Sequence, residues 1–352
     1  MKVVPAERRQ ALRTWCTRVN RWRRFLQRRP RGYREFLLGV LSERCRLGRS
    51  LGRPVSITLE PTNVCNLQCP VCETGAGQLE RKPGMMSYED FVKIMDKVGP
   101  GANHLMFYFM GEPFLNREAY RMIRYARDMG IHVTSCTNGD PVDPLALYES
   151  GINHISFQIG GVTQQSHEVY RKKSDLSRIF GNLTSYLQII RTKGKKPTEH
   201  EVELGLIVMR HNEGEIGEFL DRCKALGVQG TLITPCVRTP EQARTFLPKT
   251  EAYWLYDREI LERDGGLVVK RHLPWNRCPW FYFAMTIQVN GDVVPCCRDA
   301  QGKNILGNLL SESLENVWNG PPFRTWRRAF SRRRLPPDLC RLCPGEGAPV
   351  LR

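Results

Sequence analysis

Three cysteines stand close together at a spacing that suits metal chemistry. Cys65, Cys69 and Cys72 form a C-x3-C-x2-C run, and thiolates at such intervals bind zinc or iron–sulfur clusters. A closed zinc site needs four protein ligands, and no fourth Cys or His lies close to this run in the sequence. A four-iron cluster held by three thiolates keeps one iron open to a ligand from outside the protein. The spacing therefore favours an iron–sulfur cluster over structural zinc or unligated thiols.

A second set of cysteines lies near the C-terminus. A hairpin that brings Cys278 and Cys296 together, closed by the C-x2-C pair Cys340 and Cys343, supplies four thiolates. Zinc and a four-iron cluster are both compatible with four thiolates. Cys297 adjoins one of these ligands, so it is a candidate hydrogen-atom donor of an epimerase, and a thiol that only packs beside the ligand is the alternative.

The cysteine content also bears on the compartment. The chain has 13 cysteines, an odd number, which excludes complete internal disulfide pairing. Neither a signal peptide nor a membrane span is expected, because the longest apolar run near the N-terminus, Phe36 to Leu41, has only six residues. A reducing cytoplasm is therefore the expected compartment, and clustered cysteines there more often bind metal or do redox chemistry than form disulfides.

Apolar runs alternate with helical patterns after the first 50 residues. Each run precedes a helical stretch about as long as the crossover between two parallel strands. This order predicts an α/β fold with a parallel sheet, open or curled into a partial barrel, whose ligands collect beyond the carboxyl ends of the strands. The predicted strands are Ser56–Leu59, His104–Phe109, His132–Cys136, His154–Gln158, Val202–Val208 and Gly230–Ile233. Helices are predicted near Tyr88–Lys97, Arg117–Met129, Pro144–Glu149, Leu176–Arg191 and Gly214–Leu226.

With its first cysteine run directly after a predicted strand, the sequence resembles the radical S-adenosylmethionine (SAM) enzymes. Further stretches agree with that family in the same order. MGEP at residues 110–113 matches the element that holds the amino group of the cofactor's methionine, and TNG at residues 137–139 matches a recurrent element after the third strand. A serine in the fourth strand and a later arginine resemble the pair near the cofactor's ribose and carboxylate. The resemblance thus assigns to the cofactor Gly111, Glu112, Asn138, Ser156 and Arg171.

This resemblance implies a partial (β/α)6 barrel that binds SAM and a [4Fe-4S] cluster on Cys65, Cys69 and Cys72. The cluster would cleave SAM with one electron, and the resulting 5′-deoxyadenosyl radical would remove a hydrogen atom from an unactivated C–H bond. Two positions depart from the family pattern. Val71 stands where an aromatic residue is usual, and QIGG at residues 158–161 replaces the usual Asp-Gly. We expect the second departure to reshape the substrate side of the site.

The C-terminal segment resembles the SPASM/twitch extension of radical SAM enzymes. LGN at residues 306–308, VW at residues 317–318 and the closing C-x2-C have the layout of its short form. That form is found in the radical dehydrogenases that oxidise an inosamine alcohol in aminocyclitol biosynthesis. The resemblance implies a small domain of β-hairpin and helices with one auxiliary [4Fe-4S] cluster, held by Cys278, Cys296, Cys340 and Cys343.

The formal net charge of +17 is concentrated at the two ends of the chain. Residues 1–50 hold 15 Lys and Arg against three Asp and Glu, and residues 321–352 hold eight against two. The remainder is nearly neutral, which is not expected of a nucleic-acid enzyme with a basic groove through its body. The sequence therefore predicts three parts: a basic helical N-terminal arm (1–50), a radical SAM partial barrel (51–250) and an auxiliary-cluster domain (251–352).

The basic arm carries apolar side chains at helical spacing over residues 17–42, with arginines on its other faces. An amphipathic basic helix of this kind can pack on the barrel as a cap, lie on an anionic membrane surface or dock an acidic partner. Nucleic acid is disfavoured as a partner, because no module of interleaved aromatic and basic residues is visible.

We expect a cytoplasmic radical SAM enzyme that abstracts hydrogen from a carbinol carbon of a sugar, cyclitol or similar polar metabolite, giving oxidation or epimerisation. Its expected partners are a small-molecule substrate, a reducing protein such as flavodoxin or ferredoxin, and an anionic membrane surface if the arm binds one. A peptide-modifying maturase is the second expectation, although residues 1–50 are too short and too basic to resemble a leader-peptide recognition domain. Outside enzymology, the alternative is a zinc-stabilised binding protein with a membrane-surface arm.

Overall fold

The computed structural model describes residues 30–194, 199–270, 278–331, 338–340, 343 and 350–351. The part of the basic arm before residue 30 lies outside these described residues. Within them, no helix combines the length and the apolar character that a bilayer span requires.

A single sheet runs through the described chain. Its strands are β1 (Ser56–Leu59), β2 (His104–Met106), β3 (His132–Thr137), β4 (His154–Ile159), β5 (Glu201–Ile207), β6 (Gln229–Ile233), β7 (Ala284–Ile287), β8 (Asp292–Val294), β9 (Gly307–Asn308) and β10 (Val350–Leu351). Their order is β10-β6-β5-β4-β3-β2-β1-β7-β8-β9. Strands β1 to β6 pair in parallel in chain order, as βαβ crossovers require.

Helices occupy the crossovers and the C-terminal segment. They are α1 (Pro30–Arg44), α2 (Tyr88–Val98), α3 (Ala119–Asp128), α4 (Pro144–Glu149), α5 (Gln164–Tyr170), α6 (Leu176–Lys193), α7 (Ile216–Leu226), α8 (Pro240–Phe246), α9 (Arg258–Asp264), α10 (Trp280–Phe283), α11 (Leu314–Trp318) and α12 (Pro321–Ser331). Side-chain caps fix several of their N-termini, as where Ser87 accepts the Asp90 N–H at the start of α2.

The predicted parallel α/β sheet is confirmed, with differences at the ends of its elements. Strand β2 ends at Met106 rather than Phe109, because the chain turns toward β1, where the Met110 N–H donates to the Glu60 carboxylate at 3.2 Å. Helix α3 begins two residues later than predicted. There the buried Asn116 side chain accepts the Glu118 N–H at 3.0 Å and holds the preceding turn.

Side chains of the strands alternate between two faces of the sheet. On one face Ile57, Val133, Ile155, Phe157 and Leu204 are buried in the main apolar core with the helices. The opposite face, here called the inner face, is polar. Contacts across the strands identify it, since Thr134 bonds His104 and Ser156 bonds Glu203. The inner face is defined by His104, Thr134, Cys136, Ser156, Gln158 and Glu203.

The C-terminal segment continues the barrel sheet. Strand β7 pairs in parallel with β1, with Ile57 opposite Met285, and β8 returns antiparallel to β7 through a turn at Gly291. Gly291 has a φ of +83°, the left-handed conformation that favours glycine in hairpin turns. The hairpin predicted from the sequence is therefore present, and it is joined edge to edge to the barrel. The predicted domain boundary at residue 250 stays a prediction.

Helix α1, the described part of the basic arm, packs against α10 at the entrance to β7. The Phe36 and Phe283 rings lie 5.3 Å apart between centroids. Tyr33, Leu37 and Leu41 of the same helix are each about half exposed. The expectation was a cap on the barrel, whereas this contact of α1 is with the C-terminal segment. A role of the arm at a membrane or partner stays a prediction.

A buried ion pair joins the barrel to the C-terminal segment. The two terminal guanidinium nitrogens of Arg81 donate to the two carboxylate oxygens of Glu60 at 2.7 Å. The Glu60 side chain is fully buried. The same carboxylate accepts the Val289 N–H at 3.0 Å, and Arg81 Nε donates to the Ala300 carbonyl at 2.6 Å. A bidentate pair with these additional bonds meets the conditions under which a buried salt bridge is well compensated.

Replacing Arg81 with Met should lower the free energy of unfolding by about 3–5 kcal/mol, because it leaves the Glu60 charge buried without its cation. The matched control is Arg49→Met, which removes an exposed pair with Glu315 whose side chains are 59% and 60% accessible. That change should cost about 0–1 kcal/mol. Urea unfolding followed by circular dichroism measures both, and equal losses for the two variants would contradict the prediction.

Candidate functional site

The cysteine run after β1 forms a loop that closes on itself. Its hydrogen bonds are short-range: the Cys72 N–H donates to the Cys69 carbonyl at 3.2 Å, and the Leu67 N–H donates to Cys65 Sγ at 3.4 Å. Gly75 lies so close that a Cβ there would stand 2.6 Å from the Cys69 nitrogen. Gln68 N–H donates to the Lys172 carbonyl at 3.1 Å, which ties the loop to the chain after α5. The three thiols are therefore held at the carboxyl end of β1, as predicted.

The thiols of this loop are mutually close and poorly solvated. Burial raises the pKa of Cys65 to about 12, and repulsion from Glu112, Cys69 and Cys72 adds to the rise. Burial also raises the pKa of Cys69, although the Arg171 guanidinium opposes it. Such thiols stay protonated until a metal supplies positive charge and displaces the protons. Among the described residues, no group of three or more His, Cys, Asp and Glu side chains is placed to hold a single metal ion.

The loop after β2 requires a glycine. Gly111 has a φ of +75°, and a Cβ there would lie 2.6 Å from the carbonyl oxygens of Thr62 and Val64. These carbonyls belong to the chain that leads into the cysteine loop, and the Glu112 N–H donates to the Val64 carbonyl at 2.9 Å. Only a residue without a side chain permits this approach.

Glu112 connects the loops after β2 and β3. Its carboxylate accepts the Thr137 hydroxyl at 2.8 Å and the Asn138 N–H at 2.7 Å. It also caps the short turn at Pro113–Leu115 by accepting the Phe114 N–H. Burial raises the Glu112 pKa to about 7, with the hydrogen bonds from Asn138 and Thr137 opposing the rise. The Glu112 carboxyl group thus accepts hydrogen bonds that hold the two loops together. A nearby cation would stabilise its ionised form.

Asn138 extends toward the cysteine loop. Its amide nitrogen donates to the Asn66 side chain at 2.8 Å, one residue after Cys65. Gly139 follows with a φ of +85°, and a Cβ there would meet Ile179 at 2.8 Å. The TNG stretch therefore forms a tight turn that aims Asn138 at the first cysteine.

Ser156 lies on the inner face. Its hydroxyl donates to Glu203 at 2.8 Å and accepts a bond from Gln158 at 2.7 Å. The structure therefore gives this residue a role within the sheet, and its predicted contact with the cofactor's ribose stays a prediction.

Arg171 closes the site at the end of α5. Burial acts to lower the Arg171 pKa, but negative charge on the nearby Cys69, Tyr170 and Cys72 would outweigh it and raise the pKa. Its Nε atom is buried and has no hydrogen-bond partner among the residues that the structure describes. His167, one turn earlier, accepts the Gly160 N–H, and burial together with Arg171 lowers its pKa to about 4. A buried cation with an unpaired donor suits an anionic group such as a carboxylate.

The described cysteines of the second set also meet. Burial raises the Cys278 pKa to about 12, with Cys340 and Cys343 adding to it. The Cys296 pKa is raised well above its usual value by burial first, then by Cys297, Cys278 and Cys340. The structure thus brings the four predicted thiols into one neighbourhood, with the Cys343 N–H donating to the Cys340 carbonyl at 3.2 Å.

Cys297 interacts with residues of the barrel as well as with the second cysteine set. Its side chain reaches solvent, yet the surrounding protein raises its pKa by desolvation, with Arg298 opposing the rise. It interacts electrostatically with Cys236 after β6, and Tyr108 after β2 interacts with both Cys297 and Cys136. Cys297 is therefore near the residues that follow strands β2 and β6 as well as near the second cysteine set.

These features fit a cofactor that brings positive charge next to the thiols and also carries a carboxylate group of its own. Gly111 lets the backbone of its loop come close to the chain before the cysteine run, and the buried Arg171 Nε has no hydrogen-bond partner within the described part of the chain. Sequence reasoning missed Glu60, Arg81 and Glu203. Glu203 gave one usable signal, since it is a charged residue in an otherwise apolar strand pattern.

Two family models match the chain. The radical SAM superfamily matches residues 59–223, and SPASM, an iron–sulfur cluster-binding domain, matches residues 278–344. The class of protein is thereby defined: a radical SAM domain is followed by a SPASM domain. Its cofactors are SAM, a [4Fe-4S] cluster and further iron–sulfur clusters. The spacing of the second cysteine set was compatible with zinc or an iron–sulfur cluster. The family match favours the iron–sulfur cluster.

Individual relatives are distant. The AdoMet-dependent heme synthase of Oleidesulfovibrio alaskensis is 22% identical over 260 residues, which cover 71% of this chain and 63% of that protein. The PqqA peptide cyclase of Rhizobium meliloti is 22% identical over 311 residues, covering 82% and 79%. Streptococcus suis SuiB bound to precursor peptide SuiA has a TM-score of 0.58 at 14% identity, covering 82% of this chain and 70% of that chain. The predicted partial barrel with a C-terminal iron–sulfur domain is confirmed.

Replacing Gly111 with Ala should weaken SAM binding about 5- to 150-fold, because strain of roughly 1–3 kcal/mol falls on the loop between the thiols and Glu112. The control is Gly181→Ala in α6, where a Cβ meets nothing within 4 Å. That change should leave binding unaltered and stabilise the helix. Equilibrium dialysis of SAM against the anaerobically reconstituted proteins measures the difference, and equal affinities in wild type and Gly111→Ala would refute it.

Proposed function

We propose that this protein is a radical SAM oxidoreductase or epimerase that removes a hydrogen atom from a carbinol carbon of a sugar, cyclitol or similar polar metabolite. The observation that carries this proposal is the polar inner face beside the candidate cofactor site. Cys136, Ser156, Gln158 and Glu203 give that face hydrogen-bonding groups in place of the apolar surface that a lipid or an aromatic ring would select.

The residues of the barrel mouth divide the work of binding. We assign Cys65, Cys69 and Cys72 to the catalytic cluster, because their loop holds three crowded thiols at the carboxyl end of β1. Gly111 and Glu112 are assigned to the cofactor's amino group, since Glu112 is a buried carboxyl that gains from a cation. When bound, the cluster and SAM supply a 5′-deoxyadenosyl radical.

The other assigned residues surround the same cofactor. Arg171 is assigned to its carboxylate through the unpartnered Nε atom. Asn138 orders the cysteine loop through its bond to Asn66. Ser156 lies on the inner face, opposite Cys136 of the neighbouring strand. These groups orient the cofactor and keep water from it, which is the protein's share of radical chemistry.

The SPASM segment is assigned to electron transfer. Cys278, Cys296, Cys340 and Cys343 would hold an auxiliary cluster with full thiolate ligation, which suits exchange of electrons rather than binding of substrate. Cys297 is assigned as the hydrogen-atom donor if the reaction is an epimerisation. Its proximity to both the second cysteine set and Tyr108 after β2 supports that role. A reducing protein such as flavodoxin or ferredoxin is the proposed source of electrons.

Peptide modification is the second candidate function. It is favoured by the similarity to the PqqA peptide cyclase and to SuiB bound to a precursor peptide. The two candidates differ in the size of the substrate that must reach the inner face.

Anaerobic reconstitution tests the enzyme assignment. Wild type should bind about eight irons per chain and form 5′-deoxyadenosine from SAM under reduction, whereas Cys69→Ala should retain about four irons and form none. The control is Cys45→Ala, which removes an exposed thiol outside both sets. Protein that takes up zinc but no iron under strict anaerobiosis would sink the assignment.

Turnover in deuterium oxide separates the two reactions once a substrate is found. An epimerase should return a solvent-derived deuterium to the product through an exchangeable thiol, and Cys297→Ala should stop turnover while 5′-deoxyadenosine still forms. A dehydrogenase should instead give a product that has two hydrogens fewer than the substrate. Its turnover should not change in the Cys297→Ala variant. Mass spectrometry of product and 5′-deoxyadenosine distinguishes them, and unchanged epimerisation by Cys297→Ala removes the donor role.

A further inference from the structure

Helix α1 carries a stripe of exposed apolar side chains. From residue 32 onward its exposed positions are Tyr33, Arg34, Leu37, Leu41 and Arg44, and no acidic residue is among them. The three apolar side chains, here called the α1 stripe, are 47%, 47% and 49% exposed. They are spaced four residues apart, which places them along one side of the helix. Single exposed leucines are ordinary on protein surfaces, but a stripe of large apolar side chains marks an interaction surface.

The stripe does not coincide with the side of α1 that packs on the protein. Gly39 lies against α10, where a Cβ would stand 2.8 Å from the Phe283 ring. Leu37 precedes Gly39 by two residues, which is about 200° around a helix. Glu35 faces the chain before β1, since its carboxylate accepts the Arg53 N–H at 2.7 Å. The helix is therefore held on one side, and its stripe is left toward solvent.

A fourth exposed apolar side chain lies beside the stripe. The Leu51 N–H donates to the Ser42 hydroxyl at 2.9 Å, which holds Leu51 against the C-terminal half of α1. Ten large apolar side chains are exposed in the described part of the chain, and four of them lie within residues 33–51. Exposed apolar surface is therefore concentrated at α1 rather than spread evenly over the molecule.

The charge around the stripe is positive. Arg34 and Arg44 are exposed beside it. Residues 1–29, which lead directly into α1, hold ten Lys and Arg against one Asp or Glu. A second copy of this chain would bring like charges together at the stripe, and folding residues 1–29 back onto it would do the same. The stripe therefore fits an occupant that is both apolar and anionic.

We propose that the α1 stripe binds an anionic lipid surface. A bilayer offers hydrocarbon to Leu37 and Leu41 and the headgroup level to the amphipathic ring of Tyr33. Anionic headgroups supply the negative charge that Arg34 and Arg44 would meet. The basic residues before α1 add attraction to the same surface within a Debye length. This proposal concerns the arm and does not depend on the reaction that the barrel performs.

The position of α1 keeps this surface away from the candidate cofactor site. The bond between Glu35 and Arg53 ties α1 to the chain before β1, whereas the cysteine loop follows the carboxyl end of β1. Helix α10, which α1 contacts, likewise precedes β7, and β7 is parallel to β1. The stripe and the cysteine loop therefore lie at opposite ends of β1, so lipid binding should leave SAM free to enter.

Co-sedimentation of the 352-residue chain with lipid vesicles tests the proposal. Wild type should bind vesicles that contain phosphatidylglycerol, and bind pure phosphatidylcholine at least about tenfold more weakly. The double variant Leu37→Glu with Leu41→Glu should bind the anionic vesicles at least about tenfold more weakly than wild type. The matched control is Leu220→Glu in α7, a leucine that is 45% exposed, which should bind as wild type does.

Three outcomes of this experiment would overturn the proposal. They are no binding by wild type, equal binding to the two kinds of vesicle, and an equal loss in Leu220→Glu and the double variant. Equal binding by wild type and the double variant would assign the attraction to the charge of residues 1–29 and likewise remove the stripe as a lipid contact.

Hydrogen exchange provides a readout that needs no variant. Anionic vesicles should slow amide exchange in the peptide that covers α1 and leave the α7 peptide unchanged. Unchanged exchange in α1, or equal slowing in both helices, would overturn the proposal even if the double variant failed to fold. Formation of 5′-deoxyadenosine without vesicles should be equal in wild type and the double variant, so failure of the lipid contact and failure of the proposed function are distinguishable.

Discussion

The buried pair between Glu60 and Arg81 is the constraint on which the candidate site most depends. Its carboxylate accepts the N–H of Met110 before the Gly111 loop and of Val289 in the SPASM hairpin. Its guanidinium also holds the Ala300 carbonyl. One ion pair therefore sets the position of the cofactor loop relative to the segment that would carry the second cluster. Because electron transfer falls steeply with distance, a fixed separation between the two metal sites has direct consequences for rate.

Burial raises the pKa of several side chains around the candidate site. It raises the pKa of Cys65 and Cys136 to about 12 and that of Glu112 to about 7. These groups favour their neutral forms until positive charge arrives. Metal loading and cofactor binding should therefore stabilise the folded chain as well as activate it, because the free energy of binding is added to that of folding.

The sequence predicted the parts of the fold that follow local periodicity. Strands β1 to β6 and the three cysteines after β1 lie where alternation and spacing put them. The predicted end of β2 was wrong because the chain after Met106 leads to a contact with Glu60, which is distant in the sequence and accepts the Met110 N–H. The contacts of Arg81 with Glu60 and of Glu203 with Ser156 could not be predicted, since each depends on residues that only the fold brings together. Glu112 was identified by its motif, but its bonds to the chain after β3 needed coordinates.

The pairing of β7 with β1 makes the two family domains inseparable in one respect. Strand β1 is flanked on both sides, by β2 and by β7, so removing the SPASM segment would uncover a buried parallel strand next to the cysteine loop. A truncated barrel would then present an unpaired edge, a known route to aggregation. Chimeras that exchange this segment between relatives must consequently keep Ile57 opposite Met285. A register shifted by one residue would turn the apolar side chains of the exchanged strand to the opposite face of the sheet.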